Sequence, residues 1–189
     1  MTNPIATIST SRLIAEAISP LDFDELHRLH SDPKVMKTLS ADGKPLSEET
    51  TREHIRQAVA HWNQHGFGFW VFHRKTDGQF IGRGGLKIYQ IDNRDVIGLA
   101  YAVFSDYWNQ GIATEIGTAS LQIGFQQLGM NEIASWTLPN NLASQRVMEK
   151  LGFRYESEFD FAGLTHRPYR VMACNWKGDV GGGTPQDVE

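Results

Sequence analysis

The sequence predicts one mixed α/β domain, built on a seven-stranded mixed sheet flanked by about four helices. Three observations carry this expectation. Residues 67–73 and 80–90 are apolar-rich runs joined by Lys75-Thr76-Asp77-Gly78, whose Asp-Gly pair supplies the positive φ angles of a tight hairpin turn. Residues 96–104 are apolar on both faces, as a strand covered from two sides must be. Beyond them, helix-period segments alternate with short apolar runs, so hairpins and crossover helices occur in one chain. No repeat or interior linker divides the 189 residues. The domain is therefore expected over residues 1–176, with residues 177–189, rich in glycine and polar groups, as a flexible polar tail.

The elements follow in order. Residues 12–18 read as a first strand, and Ser19-Pro20 opens a helix over 21–30. Asp32-Pro33 is a second helix start, Asp as N-cap and Pro at the first helical position. Ser47 leads a longer helix to about residue 65, whose Ile55, Ala58, Val59 and Trp62 recur at helical spacing. The hairpin comes next, and Asn93-Arg94-Asp95 turns the chain into the run 96–104. A helix is expected over 112–128, stopping at Gly129. A short strand over 133–137, a helix over 141–151 and a closing strand pair, 153–161 and 165–175, complete the chain.

Composition excludes several classes of function. The net charge of −4 lacks the basic excess with which nucleic-acid binders displace counterions. The longest apolar run, nine residues, falls far short of the 18 or so that cross a bilayer, and the N-terminus lacks a secretory pattern. A single cysteine, Cys174, excludes an internal disulfide framework and a cysteine zinc site, and is expected as a small buried hydrophobe. A cytoplasmic protein without nucleic-acid or membrane partners, monomer or homodimer, is the expectation. His54, His61 and His65 share one side of their helix, but they flank its apolar face, so a solvated edge is expected there and no metal. Gly82-Arg-Gly-Gly85 opens no helix and reads as glycines for a bulge or close strand packing. His166-Arg-Pro-Tyr-Arg170 reads as an exposed strand edge.

The chemistry concentrates after the central strand. Residues 98–104 end in Ser105-Asp-Tyr-Trp-Asn-Gln-Gly-Ile-Ala-Thr-Glu115, a polar turn with one glycine that opens a helix. Such a turn points the amides of the first helical turn at one spot, which the helix dipole makes favourable for an anion. The loop has no lysine, so it is not a Walker loop, and it lacks the glycines of a dinucleotide fingerprint. An ordinary strand-to-helix turn and a phosphate cradle both satisfy this pattern. A second strand-to-helix junction, after Thr137, brings Asn141 and Ser144 to the same end of the sheet, where ligands gather in open sheets.

Together these pieces resemble the GNAT superfamily of N-acetyltransferases, and more narrowly its ribosomal-protein (RimJ/RimL-like) branch. The resemblance runs from Thr10-Ser-Arg-Leu13 to about Tyr169. It rests on Asp32-Pro-Lys-Val-Met36, Phe80-Ile-Gly82, Tyr107 through Glu115, and Asn141-x-x-Ser144 through Lys150-Leu-Gly-Phe153. It implies an enzyme that transfers acetyl from acetyl-CoA to a primary amine, a protein N-terminus or a small molecule, by direct attack in a ternary complex. The alternative is an acyl-CoA-binding module of the same fold with little catalysis. The resemblance implies that Asn109, Gln110, Gly111, Ile112, Ala113 and Thr114 hold the pyrophosphate, that Ala102, Val103 and Phe104 pair with the pantetheine arm, and that Asn141 hydrogen-bonds it. Ser144 would protonate the leaving thiolate. Two positions depart from the wider family: a common strand glutamate is Gly98, and a tyrosine acid of other branches is Met148. Asp92, Asp95, Asp106 and Glu132 are the carboxylates from which a base would be drawn, and none is singled out by the sequence.

Overall fold

Capping residues set the helix limits. The computed structural model describes residues 5–40, 42–161 and 163–178. Helix α1 spans Phe23–His30, and α2 spans Pro33–Leu39 behind Asp32, whose side chain accepts from the Lys34 amide. Helix α3 spans Glu48–His65 behind Ser47, which accepts from the Thr50 amide. Helix α4 (Ile112–Gln122) widens into one π turn over Ile123–Gln127, so the segment expected as a single α-helix changes its hydrogen-bond period part-way. Gly124 lies in that turn, where a β-carbon would come within 2.7 Å of Ile133. Helix α5 (Leu142–Lys150) starts at Asn141, which accepts from the Ser144 amide.

Among the described residues nine strands form the sheet, two more than expected: β1 (Thr7–Ser9), β2 (Leu13–Ala17), β3 (Phe69–Arg74), β4 (Phe80–Ile91), β5 (Arg94–Val103), β6 (Glu132–Thr137), β7 (Arg154–Tyr155), β8 (Phe159–Phe161) and β9 (Leu164–Met172). Strand β1 carries a single buried residue, Ile8, too little apolar pattern to read in advance. The run 153–161 divides into β7 and β8, which pair with different parts of β9. The described residues form five α-helices, because Pro33 does open a separate one.

The order is β1-β2-β3-β4-β5-β6-β9-β7, with β8 added to β9. Every pairing is antiparallel except β5–β6. That parallel pair is registered only at Gly98↔Ala134, so the two strands part towards the carboxyl end of β5. The opening lies at the middle of the sheet.

Alternation fixes which side chains face which layer. A β-carbon on Gly84 would meet Ile116 of α4 and Cβ of its pair Tyr101, so Tyr101 faces α4. Arg83 contacts His30 of α1, and Arg28 of α1 lies 5.1 Å from the Phe104 ring, so Arg83, Ala102 and Phe104 face the other layer. The glycines of residues 82–85 thus serve close packing. Gly82 lies against Ala102, and Gly84 against α4.

Three further expectations are corrected. Strand β9 runs inside the sheet, its Tyr169 2% exposed and its Arg170 paired with Glu132 and Glu156, so residues 166–170 are not a free edge. Cys174 is exposed in a short 3-10 turn after β9, because the strand ends at Met172. His61 is buried: it accepts from the Ile88 amide at Nε2, which leaves Nδ1 to donate to the Phe67 carbonyl. It bridges α3 to the sheet instead of lining a solvated edge. From residue 179 on, the expected tail lies outside the described residues.

Candidate active site

The opening between β5 and β6 is bordered by backbone first. Neighbouring residues of a strand point their amides to opposite edges. The Phe104 amide donates to Ile81 on β4, and the Leu99 carbonyl accepts from Ser135 on β6. Tyr101 and Val103 therefore present their amides to the β6 side, into the opening. The Val103 carbonyl is already taken by the Trp108 indole at 2.8 Å, which ties the loop to the end of the strand. Of residues 102–104, Val103 is the one whose amide faces the opening.

The loop is shaped by two left-handed residues, Asn109 at φ 60° and Gly111 at φ 75°. Asparagine is among the few side-chain-bearing residues that tolerate this region. Gly111 is the N-cap of α4 and supplies no side-chain cap, so the first-turn amides of Ile112, Ala113 and Thr114 keep the partial positive end of the helix available. Ile112 is buried and anchors the turn, while Asn109 and Gln110 are exposed.

A clamp absent from the sequence reading holds this loop. Arg12 bonds the Gln110 carbonyl at 2.8 Å and the Glu115 carboxylate at 2.6 Å. The other Glu115 oxygen accepts from Thr10, Ser11 and the Arg12 amide. Burial alone would raise the Glu115 carboxyl; these four donors outweigh it and hold the group below its ordinary range. An open groove of about 950 Å³ runs from this clamp along α4 to Lys150.

Across the opening, α5 brings Ser144 to Tyr101, with the two hydroxyls 3.0 Å apart. Tyr101 escaped the sequence reading because it lies in an apolar strand and reads as core. Burial pushes its phenol up to about 12, against the opposing effect of its bond to Ser144, so it holds its proton throughout the neutral range. Asn141 caps the helix that carries Ser144 through Oδ1. Met148, at the position of the tyrosine in other branches, is fully buried in the core.

The two departures have physical reasons. A β-carbon on Gly98 would come within 2.7 Å of the Tyr89 ring and 3.1 Å of Trp136, so aromatic rings fill the space a glutamate would need. Of the four candidate carboxylates, Asp92 and Asp95 stand at the β4–β5 turn and Glu132 at the start of β6, all at the end of the sheet away from the opening. Asp106 follows β5 at the correct end and is exposed. Among the described residues no cluster of His, Cys, Asp and Glu could hold a metal ion, and no helix is long and apolar enough to cross a membrane.

Comparison with known proteins agrees with this architecture. The acetyltransferase (GNAT) domain family matches residues 12–154. The Bacillus subtilis protein YkkB is 33% identical over 132 residues, covering 67% of this chain and 72% of its own. An FsC-acetyl coenzyme A-N(2)-transacetylase of Aspergillus fumigatus is 28% identical over 163 residues, 81% of this chain and 67% of its own. The solved structure of RimL, a ribosomal-protein alpha-N-acetyltransferase in complex with coenzyme A, superposes with a TM-score of 0.72 at 17% identity, covering 88% of this chain and 97% of that one. The family match spans most of the described domain, with both strand-to-helix junctions inside it, and the chain belongs to the GNAT acetyltransferase family.

Proposed function

We propose that the protein transfers acetyl from acetyl-CoA to a primary amine, acting as a cytoplasmic enzyme in one domain over residues 1–176. The observation that carries this reading is the pairing of two backbone sites on one opening: the uncapped first turn of α4 and the Val103 amide. The pyrophosphate fits the turn at Gln110 to Thr114, where charge is matched by amides without a basic side chain. The pantetheine arm pairs with β5 as an added strand, bordered by Ala102 and Phe104 and reached by Asn141. Acetyl-CoA would supply the activated thioester.

The chain's own groups then divide the work. An amide of Tyr101 or Val103 donates to the thioester oxygen as charge develops on it, the interaction that acyl transfer rewards most. The amine nitrogen forms its bond to the acyl carbon as the carbon–sulfur bond breaks, and the thiolate takes a proton. Ser144 gives that proton and regains one from water, while the Tyr101 hydroxyl, kept protonated by its raised pKa, donates a hydrogen bond to the Ser144 oxygen and orients it. The amine's own proton leaves to water, since Gly98 provides no base. A protein N-terminal amine, like the acceptor of RimL, and a small amine are both compatible with this reading.

Thiol release from acetyl-CoA over a panel of peptides and small amines tests the reading. Release with at least one amine, alongside acetyl-CoA binding, is expected. Acetyl-CoA binding with silence across the panel would instead mark a binding module, and no binding would overturn the reading altogether.

A further inference from the structure

The face of the sheet opposite α4 carries an unusual concentration of positive charge. Arg83 and Lys87 project from β4 on the same side, with only Gly85 between them. Their partners on β5 are Ala102 and Gly98, so the two cations flank the stretch of β5 that borders the opening, one strand spacing of about 4.8 Å away. His30, buried on α1, accepts from Arg83 Nε at 3.4 Å, and His54 of α3 stands with its ring 6.0 Å from that of His30.

No carboxylate pairs with Arg83 or Lys87 among the described residues. Glu53 of α3, next to His54, is bonded to Arg56 and Gln57. Arg83 instead stacks 5.0 Å from the Phe69 ring, and Lys87 lies 5.7 Å from Tyr89. Both cations are held below their ordinary ranges, Arg83 by burial and Lys87 by burial and then by Arg83. Holding two like charges half-buried side by side is unfavourable unless an anion joins them. Arg83 also offers the planar fork that grips carboxylate and phosphate oxygens in pairs.

We propose that the acceptor is a small amine that also carries an anionic oxygen group, carboxylate or phosphate, which docks between Arg83 and Lys87 while the amine reaches the opening. This rests on the acetyl-transfer reading and specifies its substrate class. Tyr89 and Trp136, which meet at 4.6 Å over Gly98, would wall the space between anion and amine.

The test compares amino acids with their C-terminal amides, and O-phosphoethanolamine with ethanolamine, in thiol release by the full chain. Anionic members should be preferred by roughly ten-fold or more in kcat/KM. Arg83→Gln and Lys87→Gln should each raise the KM for the anionic member and erase the preference. Lys87→Arg should retain it, and acetyl-CoA affinity by calorimetry should stay that of the wild type. The carboxylate and phosphate arms show which source is used. A readout independent of turnover is calorimetric binding of N-acetyl amino acids and N-acetyl-O-phosphoethanolamine, against their uncharged counterparts, to the CoA-saturated protein. Equal or better use of the uncharged members, equal binding of the two product series, absence of binding by every anionic product, or preference for uncharged peptide N-termini each overturns the proposal. Failure of acetyl-CoA to bind the wild-type chain overturns the acetyl-transfer reading itself and this proposal with it.

Discussion

The two faces of the sheet at the β5–β6 opening are built from different materials. On the α4–α5 face the groups proposed to work are mostly backbone: the amides of the Gly111–Thr114 turn and of Val103, with Ser144 and Tyr101 as the two hydroxyls. On the face towards α1 and α3 the groups proposed for the acceptor are side chains from separate segments, with Arg83 and Lys87 on β4 and Trp136 on β6. Backbone sites depend on φ angles and caps, and tolerate many side chains. Side-chain sites depend on identity, and can be re-tuned without disturbing the fold.

The comparison breaks most visibly at Gly111. A Gly111→Val substitution forces a β-branched residue to φ 75° and should weaken acetyl-CoA binding by roughly 100-fold in a calorimetric titration, with the fold retained by circular dichroism. Binding within three-fold of wild type would show that the turn is not the anion site. Installing the family's glutamate is the corresponding experiment on the other face. Gly98→Glu drives atoms into Tyr89 and Trp136 and should cost about 1–3 kcal/mol in urea unfolding, without raising kcat. A faster enzyme of unchanged stability would contradict the packing account.

Smaller effects sharpen the division. Ser144→Ala and Tyr101→Phe should each lower kcat by roughly ten-fold or more, with KM for acetyl-CoA little changed, and the double variant should be no worse than the poorer single one. Additive losses would separate the two hydroxyls. His30 supplies the pH test. Burial, then Arg83, lowers its pKa from 6.5 to about 3, so the unfolded chain binds the extra proton across that interval. Stability from this group is complete above pH 6.5 and falls as pH drops, by about 1.4 kcal/mol per unit at most. Urea midpoints of wild type and His30→Gln should converge as pH is lowered from 7 towards 5.

How much could be read in advance follows the same division. The loop at Asn109–Thr114 and the cap at Asn141 were legible because helix starts depend on neighbours in sequence, and both appear where expected. The hairpin at Asp77-Gly78 and the central strand were legible for the same local reason. Tyr101 was hidden because a strand tyrosine and a core tyrosine look alike until α5 brings Ser144 within 3.0 Å. The Arg12–Glu115 clamp joins residues 103 apart in sequence, and the Arg83–His30 contact joins residues 53 apart. No local period encodes either. Strand β1 was missed for the opposite reason: three residues with one buried side chain give too little pattern.

The central claim is that backbone amides on one face of the opening hold the cosubstrate. Amide chemical shifts of the isotope-labelled chain, followed while coenzyme A is titrated in, test it most directly. The account predicts the largest shifts at Tyr101, Val103 and Gly111 through Thr114, with Ser144 following. Shifts concentrated at Arg83 through Tyr89, or none at the Gly111–Thr114 turn at saturating coenzyme A, would contradict it.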